Sequence, residues 1–150
     1  MIRRMQKTDR ERVADIWIHT NIKAHSFIPE QYWRDHLETV KEMLLQAEVY
    51  VHEEENEIQG FVGLTGDYIA GIFVCSEAQS CGIGRQLLEF VKERKKQLYL
   101  SVYQKNVRAV KFYKREGFEI QCEDIDEDTG EKEYSMVWKP EKAINKFSEL

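Results

Sequence analysis

At 150 residues, with 42% hydrophobic and 33% charged residues, the chain has the length and make-up of one globular domain with a single core. No apolar stretch nears the roughly 20 residues of a membrane helix. No run of export-signal length follows Met1-Ile2-Arg3-Arg4 either. A cytoplasmic protein with no membrane partner is therefore expected, and the net charge of −5 argues against nucleic acid as a partner. Cys75, Cys81 and Cys122 form no CxxC pair and read as reduced thiols.

Ile2 to Met5 reads as a first strand. Thr8-Asp9-Arg10-Glu11 has the form of a capping box, and Val13, Ile16 and Trp17 follow at helical spacing, which predicts a helix near 8–20. Pro29 suits the first turn of a second helix, whose apolar stripe is Trp33, Leu37, Val40 and Leu44. Alternation at Val49 and Val51, then a turn at Glu54 to Glu57 into Ile58 to Leu64, predicts an antiparallel hairpin. Ile69 to Val74 is apolar enough for a strand covered on both faces. A helix from about Gly82 follows, with Ile83, Leu87, Leu88 and Val91 on one side, and then a strand at Leu98, Leu100 and Val102. Another helix near 106–116 stops at Gly117, before two final strands around Ile120 and Met136 joined by an acidic turn. With two crossover helices flanking the strand at 98–103, the sheet is expected to be mixed, with helices on its faces. A single domain over 1–140 and a polar tail over 141–150 complete the plan.

Two segments carry chemistry. In the first, the strand Ile72-Phe73-Val74 leads through Gln79-Ser80-Cys81-Gly82-Ile83-Gly84-Arg85 into a helix. Such a turn aims free N–H groups and a positive helix end at one point, which suits a pyrophosphate. It lacks the Gly-Lys-Ser/Thr of a Walker loop, and Leu87 stands where GxGxxG needs its third glycine. Alone it reads either as a phosphate site or as a plain strand-to-helix turn. The second segment is Asn106-Val107-Arg108-Ala109-Val110-Lys111-Phe112-Tyr113-Lys114-Arg115-Glu116-Gly117-Phe118. Asn106 is a good helix cap there, while Val110 and Phe112 read as core and Tyr113 as core or as a functional phenol. Basic residues gather at Arg85, Lys92, Arg94, Lys95 and Lys96 and again at Lys105, Arg108, Lys111, Lys114 and Arg115. Acidic ones crowd at 53–57 and 123–131. These read as solvated faces, or as attractors for an anionic and a cationic ligand respectively.

In this order and at this separation, the QxxGxG and NxxAxxFYxxxGF segments resemble the GNAT superfamily of N-acetyltransferases, and the likeness spans residues 2–138. Ala24-His25-Ser26-Phe27-Ile28 and Tyr32-Trp33 resemble small bacterial members, some of which acetylate protein lysines or N-termini. The resemblance implies an α/β (α+β) fold: a mixed, mostly antiparallel sheet of about six to seven strands flanked by about four helices. It also implies acetyl-CoA as cosubstrate, no metal, and a primary amine as acceptor, on a small molecule or a protein, in a monomer or homodimer. Ile72, Phe73 and Val74 would face the pantetheine arm, with the Val74 N–H donating to the thioester carbonyl oxygen. Gln79, Ser80, Cys81, Gly82, Ile83, Gly84 and Arg85 would hold the pyrophosphate, with Gln79 standing where arginine is often found. Asn106 would contact the cofactor, and Tyr113 would protonate the departing thiolate.

Transfer is expected to be direct, because neither Cys75 nor Cys81 has a histidine–acid pair beside it in sequence. Candidates for the general base are His25, Tyr68 and Tyr103. Asp124, Asp126 and Asp128 do not make an EF-hand: the glycine, Gly130, falls one place late, and Ser135 stands where the bidentate glutamate belongs. A non-catalytic acyl-CoA-binding or interaction module on the same fold is the alternative reading.

Overall fold

The computed structural model describes residues 1–140, and the tail expected at 141–150 lies outside the described residues. The first strand, β1 (Ile2–Arg4), is followed by a short 3-10 turn at Lys7–Asp9 and then by α1 (Arg10–Ala24). The capping box expected of Thr8 and Glu11 is displaced to Gln6 and Asp9. The Asp9 carboxylate accepts the Gln6 N–H at 2.7 Å and is gripped by the Arg3 guanidinium at 2.8 and 3.2 Å. That charged partner, reaching over from β1, anchors Asp9 as no neutral hydroxyl at Thr8 could. The helix consequently starts later and ends later than its apolar spacing suggests. Pro29 precedes α2 (Glu30–Leu44) by one residue instead of sitting in its first turn.

The remaining elements are β2 (Glu48–Glu54), β3 (Glu57–Thr65), β4 (Tyr68–Val74), α3 (Ile83–Lys92), β5 (Leu98–Tyr103), α4 (Val107–Arg115), β6 (Glu119–Ile125) and β7 (Lys132–Trp138). They build one seven-stranded sheet in the order β1-β2-β3-β4-β5-β7-β6, with every pair antiparallel except β4–β5. The mixed, mostly antiparallel sheet with four helices is thus the architecture expected. Because side chains alternate along a strand, the sheet feeds two cores. On one face Val13, Ala14, Ile16 and Leu44 of α1 and α2 pack on Val49, Val51 and Phe61. On the other, Leu87, Leu88 and Val91 of α3 and Val110 of α4 pack on Val62, Leu64, Leu98, Leu100 and Met136.

One expectation fails in an informative place. The apolar run Ile69–Val74 is not covered on both faces: beyond the buried Ile69, Ala70 is exposed and Gly71 to Val74 are half-buried. The cause is the parallel pairing, which holds Tyr68 opposite Tyr99 and Ile69 opposite Leu100 and then stops. Past that point the two strands splay apart and leave a cleft in the sheet.

Candidate active site

The edge of β4 that borders this cleft is determined by its pairing on the other side. Cys75 donates to the Gln59 carbonyl at 2.9 Å, and Val74 stands opposite Gly60. Antiparallel ladders alternate, so the peptide groups of Phe73 turn toward β3, while the N–H groups of Val74 and Ile72 turn toward β5 and the opening. The Val74 carbonyl already accepts from the Gln79 side chain at 3.0 Å. Its N–H therefore points into the cleft with no strand to receive it.

Gly82 ends the loop at φ +81°, a conformation that side chains with a Cβ rarely adopt. The first helical bond of α3 runs from Gln86 to the Gly82 carbonyl, so the N–H groups of Ile83, Gly84 and Arg85 have no partner within the helix. Ser80 also holds a positive φ, of 67°, an uncommon cost for a residue that is not glycine. Arg108 reaches from α4 to Gln79 Oε1 at 2.9 Å and ties the loop to the second chemical segment. Arg85 is partly engaged, with its Nε 3.7 Å from Glu116.

These elements enclose a cleft of about 1120 Å³. Of the residues expected to bind cofactor, Ile72, Phe73, Val74, Gln79, Ser80, Gly82, Ile83, Gly84, Arg85, Asn106 and Tyr113 line it. Cys81 is exposed and directs its thiol toward the Gln79 carbonyl. Lys92, Arg108, Lys111 and Arg115 line it as well, all members of the two basic groups that read either as solvated faces or as attractors for an anion. So do Thr20 and Asn21 of α1, for which no motif gave notice, and Ala24, which opens the Ala24–Ile28 segment.

Tyr113 lies on α4, whose N-terminus is capped by Asn106 Oδ1 accepting from the Ala109 N–H at 3.2 Å. Tyr113 is 7% exposed and set edge-on to Phe112 and Phe118. Burial, and then the neighbouring Tyr68, push its hydroxyl well above the usual phenol value, so it stays protonated at neutral pH. Tyr68 itself packs beside Tyr99, with ring centroids 5.4 Å apart, and is not among the residues lining the cleft.

His25, at the C-terminus of α1, also lines the cleft. Its ring is stacked on Trp33 at 5.3 Å and meets Phe27 and Tyr103 edge-on at 5.6 and 5.1 Å. Nε2 lies 3.1 Å from Asn106 Nδ2, and Nδ1 is buried without a well-formed hydrogen bond. Burial pushes His25 down to about 4, which the nearby Asn21 carbonyl opposes only in part. Tyr103 donates to Asp126 at 2.5 Å, and burial together with that bond pushes its phenol far up. Tyr32 is raised by burial and by Asp126 and Asp128, and Glu133 by burial and by Asp126 and Asp124. The acidic β6–β7 hairpin therefore lies over an aromatic cluster beside the cleft.

A cleft opened by splayed parallel strands, with free strand N–H groups at one end and a glycine turn and helix N-terminus at the other, is the arrangement of an acyl-CoA-binding acetyltransferase. Residues 46–120 match the family described as the Acetyltransferase (GNAT) domain, and the chain belongs to that family of N-acetyltransferases. It is 37% identical over 122 residues to the peptidyl-lysine N-acetyltransferase YiaC of Escherichia coli (strain K12), covering 80% of this chain and 84% of that one. The solution structure of apo-form YjaB from Escherichia coli superposes with a TM-score of 0.82 at 26% identity, over 92% of this chain and 96% of that one. The PaiA N-acetyltransferase of Thermoplasma acidophilum, in complex with coenzyme A, shares the fold with a TM-score of 0.78 at 17% identity, over 93% and 98% of the two chains.

The acetyl donor is acetyl-CoA, and the site fits it. The unpaired β4 edge can take the amides of a pantetheine arm, and the free N–H groups of α3 with their basic surround can take a pyrophosphate.

Proposed function

We propose that the protein acetylates the side-chain amine of lysine in a polypeptide, by direct attack on the thioester of acetyl-CoA. The observation that carries this reading is the unpaired Val74 N–H on one side of the cleft, with the buried, protonated Tyr113 on α4 lining the same cleft. The relatives named peptidyl-lysine N-acetyltransferases support lysine as the acceptor, as does the acidic hairpin, which would draw a cationic segment.

Bound acetyl-CoA supplies the electrophilic carbonyl and a thiol leaving group. Val74 donates to the carbonyl oxygen as negative charge gathers there, a contribution of roughly 2.7–4 kcal/mol where such donors have been removed. The residues of the glycine turn hold the phosphates so that the thioester lies along β4. Tyr113 delivers its proton to the departing sulfur. Burial raises the proton affinity of phenolate and thiolate alike, which keeps the transfer feasible in a dry site.

The lysine ammonium must lose a proton before its nitrogen can attack, and that proton needs another acceptor. Tyr103 is committed to Asp126, and its raised phenol is a poor choice. Tyr68 does not line the cleft, so that proton is left to bulk solvent at the cleft's open side. The test is mass spectrometry of a lysine peptide with a blocked N-terminus, incubated with acetyl-CoA and the protein. A 42-dalton gain (about one acetyl group) on the lysine is expected. Acetylation of small amines alone, with peptides untouched, would refute the polypeptide acceptor.

A further inference from the structure

His25 and Asn106 stand 81 residues apart and meet at the cleft. A side-chain amide has one acceptor and two donor hydrogens, and the Oδ1 of Asn106 is committed to the Ala109 N–H. The group turned toward His25 is therefore Nδ2, a donor, so Nε2 must accept and the imidazole carries its single proton on Nδ1. The ring has no freedom to swing away, being stacked on Trp33 and met edge-on by Phe27 and Tyr103. Its one lone pair faces Asn106, whereas a general base must turn a lone pair toward the proton it removes.

We infer that His25 is a positioning residue of the reaction and not its base: a neutral, clamped acceptor that fixes the Asn106 amide. The bond ties the loop after α1 to the start of α4, and so ties the acceptor side of the cleft to the helix that carries Tyr113. α4 is only nine residues long, and a helix so short depends on its cap and its packing. Tyr113 lies about two turns beyond that cap, so a loosened Asn106 is felt both at the cofactor wall and at the general acid. The inference rests on reading the cleft as the acetyl-CoA site and deepens the role of that site.

The test is a calorimetric titration of acetyl-CoA into the full chain and into His25→Gln, His25→Phe, Asn106→Ala and the double variant His25→Phe/Asn106→Ala, each first shown to melt cooperatively. Glutamine can present Oε1 to the Asn106 amide, so His25→Gln should bind within about threefold of the parent, while His25→Phe, which packs but cannot accept, should lose about tenfold. In the double variant the phenylalanine should add nothing to the loss caused by Asn106→Ala. With a blocked lysine peptide as acceptor, His25→Gln should keep the acid limb of the kcat/KM profile.

Equal losses in the Gln and Phe variants together with a vanished acid limb would make His25 the base. Additive losses in the double variant would uncouple it from Asn106, and parent-like binding by His25→Phe would remove its role. Should the parent fail to acetylate the peptide, the lysine reading falls, while the binding cycle still decides the coupling of His25 and Asn106.

Discussion

The two walls of the cleft are made of different materials. The cofactor wall is chiefly backbone: the free edge of β4, the left-handed turn at Gly82 and the open N-terminus of α3, all within one strand–turn–helix unit. The opposite wall meets the cleft at His25 and is backed by side chains gathered from distant segments: Phe27 after α1, Tyr32 and Trp33 on α2, Tyr103 on β5 and Asp126 in the hairpin. A ligand common to a whole family can be held by main-chain geometry, which tolerates sequence change. An acceptor particular to one protein must be recognised by side chains. Substitutions on the first wall should therefore act on acetyl-CoA, and those on the second on the acceptor, except at His25, whose contact with Asn106 couples the two.

The largest effect expected is on chemistry. Tyr113→Phe should lower kcat by roughly 10²–10⁴-fold, the usual worth of a general acid, with acetyl-CoA binding nearly unchanged. Stopped-time assays of thiol release beside calorimetry would show it, and an unaltered kcat would strip Tyr113 of its role. Next comes the turn. Gly82→Ala meets no atom within 4 Å of the new Cβ, so any loss reports backbone strain at φ +81° alone. A strain of about 1–3 kcal/mol, relieved by the loop when no cofactor is bound, should weaken acetyl-CoA binding by roughly 5- to 150-fold while leaving the acceptor KM in place. Equal damage to both constants would dissolve the division between the walls.

A smaller effect is expected at the hairpin. Asp126→Asn should raise the KM for a lysine peptide about threefold, and the parent's acceptor KM should rise with ionic strength as exposed charges are screened. Read in stability alone is the effect of His25. Its folded value of about 4 lies below the usual 6.5, so the neutral ring is fully accommodated above pH 6.5. Protonation favours the unfolded chain as pH falls from there toward 4. The melting temperature of the parent should fall more steeply over that window than that of His25→Gln. Parallel slopes would contradict the buried, neutral imidazole.

What the sequence made legible divides along the same line. The hairpin at 54–57, the helix stop at Gly117 and the glycine turn were readable because Gly, Asn and alternating valines act locally. The cap at Asn106 was readable for the same reason, and it forms. The start of α1 was misread because Asp9 is held by Arg3, a contact between separate elements that spacing cannot reveal. The cover over β4 was misjudged because an apolar run looks alike beside a strand and beside a cleft. Arg108 stood in plain view within a basic cluster, yet its bond to Gln79 depends on how α4 lies across the loop. The contact of His25 with Asn106 joins two residues that no periodicity relates.

The thin pairing of β4 with β5 has a thermodynamic consequence. Among the described residues, two matched residue pairs are all the ladder that joins β1–β4 to the β5–β7–β6 half, and the α3-centred core adds further coupling. Such a seam is where a domain opens first, and amides along the free edge should exchange hydrogen early. A molecule lying along β4 would act as a missing rung and weld the halves. At a hundredfold excess over its dissociation constant it would add about 2.7 kcal/mol to global stability. Unfolding of the loaded protein should then be sharper than that of the free protein, so that the substrate completes the cooperative unit as well as the reaction.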